Sequence, residues 1–209
     1  MVERDFFNSS EFGFFHICTD GNALDWMFKD DLDFIHGVNR LGICVFTTGV
    51  NLVTYVLMDN HIHLLLHGTM PQCKEFINKY KHLTGKHIYS RYAIEGALRK
   101  LPAKIIPITD EEQLLATIAY IDRNSIVSGY RCLPTEYPWG SARWIFNDND
   151  IDKWASGETP IPLGTIPVKK QRFILESRKK LPQNWTIFSN GMLYPITFLK
   201  TETVERIFK

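Results

Sequence analysis

Apolar residues along the chain alternate between two periods, and the change from one to the other marks out its elements. The run EFGFFHICTD, ended by Asp20-Gly21, suits a strand of about seven residues around Phe14 to Cys18. From Lys29 the spacing lengthens: Leu32, Ile35, Val38, Leu41 and Val45 recur every three or four residues behind Asp30 and Asp31, which predicts a helix closed near Gly49. Residues 51–67, NLVTYVLMDNHIHLLLH, hold two strand-like runs parted by Asp59-Asn60, a pair that tolerates tight turns, so they predict an antiparallel hairpin. A basic helix is expected to begin near Pro71 and to stop or break at Thr84-Gly85, with a second stretch to about Arg91. Ile105 and Ile106 mark a further short strand. Asp110 caps a later helix that Ser128-Gly129 closes. LPTEYPWGSARW reads as a packed aromatic loop, ETPIPLGTIP as a linker or extended arm, and KKQRFILESRKK as a basic helix.

This order gives an α+β protein in which helices cover one face of a mainly antiparallel sheet. Residues 1–149 read as one domain and residues 150–209 as a linker and basic C-terminal extension.

With 209 residues, 44% of them hydrophobic, 22% charged and 13% aromatic, the chain is globular in composition and not disordered. It has no apolar stretch of the roughly 20 residues that span a membrane, and its start, MVERDFFNSS, lacks the basic flank and apolar core of a secretion signal. Cys18, Cys44, Cys73 and Cys132 are widely separated and form no C-x-x-C pair, which fits reduced thiols and a cytoplasmic location.

The net charge of +1 gives no hint of a polyanionic partner, but the charge is unevenly spread. Residues 73–105 carry 8 basic and 2 acidic side chains, and residues 151–209 carry 10 and 5. In the first segment Lys79, Lys81, Lys86 and Arg91 alternate with Tyr80, Tyr89 and Tyr92, a mix suited to phosphates and to stacking on unpaired bases. An ordinary basic surface helix is the plainer reading of the same residues.

Two places carry candidate chemistry. On a strand, His61 and His63 project to one side while Ile62, Leu64 and Leu66 project to the other. Two neutral imidazoles side by side can clamp a metal, although two structural histidines explain the pair about as well. His67 shares their side but would sit roughly 13 Å from His63, too far to share an ion. On the helix after Asp110, Leu114, Leu115, Ile118 and Ile121 form an apolar stripe, and Gln113, Thr117, Tyr120 and Asn124 form a polar flank. Tyr120 and Asn124 are therefore neighbours, an amide oxygen and a phenol one turn apart. Taken singly, a boundary aromatic and a residue near a helix end are the simpler readings.

Together these segments resemble a known family. YVLMDNHIHLLLHG looks like the signature of the HUH single-tyrosine transposases, in particular the REP-associated tyrosine transposases. KHLTGKHIYSRY, AYIDRNSIVSG and EYPWGSARW follow in the family's order, so the resemblance spans roughly residues 10 to 145. It implies a ferredoxin-like sandwich, with His61, His63 and Asn124 as metal ligands, Tyr120 as nucleophile, and Mg²⁺ or Mn²⁺ as cofactor. The implied activity is nicking and strand transfer on single-stranded or hairpin DNA through a 5′-phosphotyrosine, by a monomer or a homodimer. A hairpin-binding protein that does not cut, and a replication initiator or relaxase with the same histidine pair, are the alternatives on this scaffold. The chain departs from the family in having Asn124-Ser125 where Asn-Pro is common. Residues 150–209 match nothing in the family. Lys169, Lys170 and Arg172, with Arg178, Lys179 and Lys180, could meet DNA phosphates there or belong to a solvated helix.

Overall fold

The computed structural model describes residues 12–146 and 159–208. A four-stranded antiparallel sheet is built from β1 (Gly13–Thr19), β2 (Asn51–Leu57), β3 (Ile62–Gly68) and β4 (Ala103–Ile108), in the order β2-β3-β1-β4. Helix α1 (Asp31–Thr48) connects β1 to β2 and helix α2 (Met70–Tyr92) connects β3 to β4, which gives the ferredoxin-like βαββαβ path. The fold is thus α+β with a mainly antiparallel sheet.

Local chemistry sets these boundaries. Asp30 caps α1 by accepting from the Asp33 N–H at 3.0 Å, and Asp31 and Asp33 complement the dipole of its first turn. Gly49, at φ +69°, ends the helix in the left-handed region with its N–H on the Val45 carbonyl. Thr69 and Gln72 form a reciprocal capping box at the start of α2. That helix runs unbroken through Thr84-Gly85, where the sequence predicts an interruption. Thr84, His87 and Ile88 are all buried, and this packing offsets the roughly 1 kcal/mol that a mid-helix glycine costs.

Strand alternation divides the buried residues between the two faces of the sheet. Leu57, Ile62, Leu64 and Leu66 point toward α1, which comes so close that a Cβ on Gly37 would lie 2.7 Å from the Phe28 ring and 3.0 Å from Leu57. A register shift between Leu52 and Thr54 keeps Thr54 and Val56 on the opposite face with His63. That opposite face carries helix α3 (Glu111–Asp122), held by a Thr54 Oγ1 to Asp122 Oδ1 hydrogen bond of 3.0 Å and by buried Leu114, Ile118 and Ile121. So α1 and α2 cover one face, and α3 lies on the other.

Short helices α4 (Asn124–Val127) and α5 (Ala142–Ile145) follow α3, and the aromatic loop between them buries Tyr137 and Trp139. Farther along are a two-stranded pairing of β5 (Ile161–Pro162) with β6 (Thr186–Ile187), helix α6 (Val168–Ile174) and helix α7 (Thr201–Phe208). The expected domain boundary at residues 149 and 150 lies outside the described residues. The described part beyond it packs on α1: the Asn39 amide donates to the Gly191 carbonyl and accepts from the Leu193 N–H, at 2.9 and 2.7 Å. The Lys200 N–H donates to the Leu52 carbonyl at the edge of the sheet.

A polar network lies under this contact. Asp33, fully buried, accepts from the Lys29 N–H, the Tyr92 hydroxyl, Arg91 and His87. His87 also meets Glu176 at 3.2 Å, and Arg40 pairs with that carboxylate. The imidazole of His87 and the guanidinium of Arg40 help hold Glu176 down at about 2 against the effect of burial.

Candidate active site

The hairpin turn, one strand and the end of one helix supply the site. Asp59 and Asn60 turn the chain between β2 and β3, with the Met58 N–H on the His61 carbonyl at 2.8 Å. His61 therefore sits at the mouth of the hairpin, half-buried, and His63 two residues on is buried in β3. Their rings lie 5.1 Å apart and perpendicular. Over them stands Tyr120 of α3, its ring edge-on to His63 at 5.2 Å and 88°. Tyr120 remains 39% exposed, so its hydroxyl-bearing ring is open to a substrate. Arg123 ends α3 in helical geometry, which keeps Asn124 one turn past Tyr120, buried, with Oδ1 3.2 Å from His61 Nε2. The structure thus brings His61, His63 and Tyr120 into one cleft of about 470 Å³, with buried Asn124 against His61 behind it.

Both imidazoles are kept neutral. Burial lowers His61, and it pushes His63 down to about 3 with the help of His16 and His61. Beneath the helix, burial raises Asp122 to about 6, with the Thr54 hydrogen bond opposing it.

The hydrogen bonds fix how His61 is presented. The Asn60 amide donates through Nδ2 to the Gly21 carbonyl at 2.9 Å, so its Oδ1 faces His61 Nδ1 at 2.7 Å. That nitrogen must then carry the ring hydrogen, which leaves Nε2 as a bare lone pair directed at the Asn124 oxygen. The two atoms lie 3.2 Å apart. Their separation matches that of adjacent ligands about 2.1 Å from a hard divalent cation, roughly 3 Å apart. Two neutral imidazoles and an amide oxygen therefore fit the divalent ion that the family resemblance implies.

The sequence reading missed two neighbours of these residues, His16 and Lys104. His16 of β1 meets His63, its Nε2 3.1 Å from His63 Nδ1. Lys104 of β4 lines the cleft beside the Cys18-to-Asn22 turn. His16 was open to the reasoning applied to His61 and His63, because it too is a polar ring on an apolar strand. Its closeness to His63 depends on the β1–β3 register, which pairs Cys18 with His63. His67, left out of the ion site on distance, stacks on Phe14 with ring centroids 4.3 Å apart.

The basic residues of α2 lie elsewhere, since α2 and the cleft are on opposite faces of the sheet. Lys79 bonds Glu75 at 2.9 Å and Thr47 at 3.0 Å, Lys81 donates to the Leu101 carbonyl, and Arg91 pairs with Asp30 and Asp33. Lys86 lines a separate groove of about 570 Å³ with His82, Tyr89 and Arg99. Lys169, Lys170 and Arg172 are exposed on α6.

No family model matches the sequence, and no curated protein matches it. Two solved structures are similar to the chain. One is a REP-associated tyrosine transposase bound to a REP hairpin, with 12% identity and a TM-score of 0.48 over 77% of this chain and 99% of the other. The second is a Deinococcus radiodurans protein provisionally described as a transposase, with 11% identity and a TM-score of 0.37 over 59% of this chain and 94% of the other. Likeness at this level assigns no chemistry to the chain. Among the described residues no helix is long and apolar enough to cross a membrane.

Proposed function

We propose that this protein is a metal-dependent enzyme that nicks single-stranded or hairpin DNA and joins strands, with Tyr120 as the nucleophile. One observation carries this reading: an exposed phenol on one element stands over a pair of imidazoles on another, with an amide oxygen 3.2 Å from one of them.

His61, His63 and Asn124 would hold Mg²⁺ or Mn²⁺, which when bound would draw charge from a non-bridging oxygen of the scissile phosphate and lower the pKa of a nearby water or phenol. Tyr120 Oη attacks the phosphorus and loses its proton to solvent, the P–O3′ bond breaks, and the departing oxygen takes up a proton as a free 3′-hydroxyl. The 5′-phosphate is then esterified to Tyr120. A second 3′-hydroxyl can displace the tyrosine and restore the phosphodiester without ATP, which suits strand transfer better than degradation. Lys104, exposed at the lip of the cleft, supplies positive charge for the flanking backbone.

DNA outside the cleft would be held by Lys86 in its groove and by Lys169, Lys170 and Arg172. Lys79, Lys81 and Arg91, each with a protein partner, would share their charge with it.

Labelled hairpin DNA incubated with the protein and Mn²⁺ tests the proposal. A covalent adduct that disappears in Tyr120→Phe supports the enzyme. Saturable binding with no adduct under any divalent ion supports a hairpin-binding protein instead.

A further inference from the structure

We infer that His16 is a positioning residue for the candidate metal centre: it accepts the Nδ1 hydrogen of His63 and so turns the Nε2 lone pair of His63 toward the cation. This rests on the reading of His63 as a ligand, and it adds a role to a residue that neither the motif nor the resemblance marks.

The geometry is specific. His16 pairs across the β1–β3 ladder with Leu65, so its side chain is diagonal to His63 on the same face. The two rings stack at 5.3 Å and 26° and meet nitrogen to nitrogen at 3.1 Å. Tyr120 lies edge-on to both, at 5.9 Å from His16 and 5.2 Å from His63, which wedges the pair against the sheet. Neutral imidazoles share one hydrogen in such a contact. If His16 donated it, His63 would carry its own hydrogen on Nε2 and could not bind a cation there. If His63 donates, its arrangement repeats that of His61, whose Nδ1 hydrogen goes to Asn60. Ligating histidines are commonly oriented by a partner on the second nitrogen, and losing that partner typically weakens metal binding by about 10- to 100-fold. Here the partner is another imidazole.

The same geometry offers one competitor. Donor atoms of His16, Cys18 and His63 all lie within 4.8 Å of one another and could themselves take a softer ion.

The test compares Mn²⁺ affinity of the full chain in three forms. His16→Phe keeps a ring against Tyr120 but has no acceptor, and it should bind Mn²⁺ about 10- to 100-fold more weakly. His16→Gln keeps an acceptor oxygen and should recover most of that loss, which a purely structural role would not predict. The native chain gives a second reading that needs no variant. In ¹⁵N-histidine spectra with saturating Mg²⁺, His63 should carry its hydrogen on Nδ1. A hydrogen on Nε2, unchanged Mn²⁺ affinity in folded His16→Phe, or a Co²⁺ thiolate charge-transfer band lost in both Cys18→Ser and His16→Phe would each overturn the inference. Absence of DNA nicking with these metal results intact would count against the proposed enzyme and leave the role of His16 standing.

Discussion

His61 Nε2, from the turn of a hairpin, and Asn124 Oδ1, from the end of a helix, face each other at 3.2 Å. On the proposed reading a divalent cation would take both atoms as ligands. Asn124→Asp keeps an oxygen in place and adds charge, so it should bind Mn²⁺ at least as tightly as the native chain. Asn124→Leu removes the oxygen and should weaken binding by at least about tenfold, since loss of an outer partner alone can reach that. Calorimetric titration of the two variants separates these outcomes.

Tyr120 owes little to the core, with 39% of its surface exposed and its ring resting on the edges of His16 and His63. Tyr120→Phe should therefore leave stability within about 0.5 kcal/mol in urea unfolding while removing all covalent chemistry. A large loss of stability would assign the tyrosine to packing.

Without added metal the protein should lose stability as pH falls from 7 to 4. Burial lowers His16, His36, His61, His63 and His67, with His36 at about 4 and His63 at about 3. Below pH 6.5 the unfolded chain binds protons that these folded rings refuse, so stability rises with pH across that window. Asp122, at about 6, and the raised His87 act in the opposite sense but are outnumbered. Thermal melts between pH 4.5 and 7.5 check the slope. Asp122→Asn should steepen it between about 4 and 6, because it removes a group that takes up a proton on folding.

Asp33 is the most fully enclosed carboxylate of the α1–α2 contact, with Arg91, His87, Tyr92 and the Lys29 N–H upon it. Asp33→Ala removes a buried carboxylate from His87, which keeps Glu176, and from Arg91, which keeps Asp30, and should cost about 3 kcal/mol in equilibrium unfolding.

Much of the fold was legible in the sequence because its signals are local. Apolar spacing marked β1, α1 and α3, Asp59-Asn60 marked the hairpin turn, and helical arithmetic made Tyr120 and Asn124 neighbours. The strand alternation that put His61 and His63 on one side is likewise local. What escaped depends on contacts between distant segments. Gly85 reads as a break, yet α2 continues because buried Thr84 and Ile88 are held by tertiary packing. His16 joins His63 only through strand pairing across 47 residues, and Glu176 reaches His87 across 89. The side of the sheet that α3 takes was hidden for the same reason, since it follows from the Thr54–Asp122 contact.

The most direct measurement is to digest the protein after reaction with Mn²⁺ and hairpin DNA and to locate the attached nucleotide by mass spectrometry. The chemistry proposed here requires a single modified peptide, bearing a 5′-phosphoryl nucleotide on Tyr120. Attachment at any other residue, or cleavage that leaves every tyrosine unmodified throughout the time course, would contradict it.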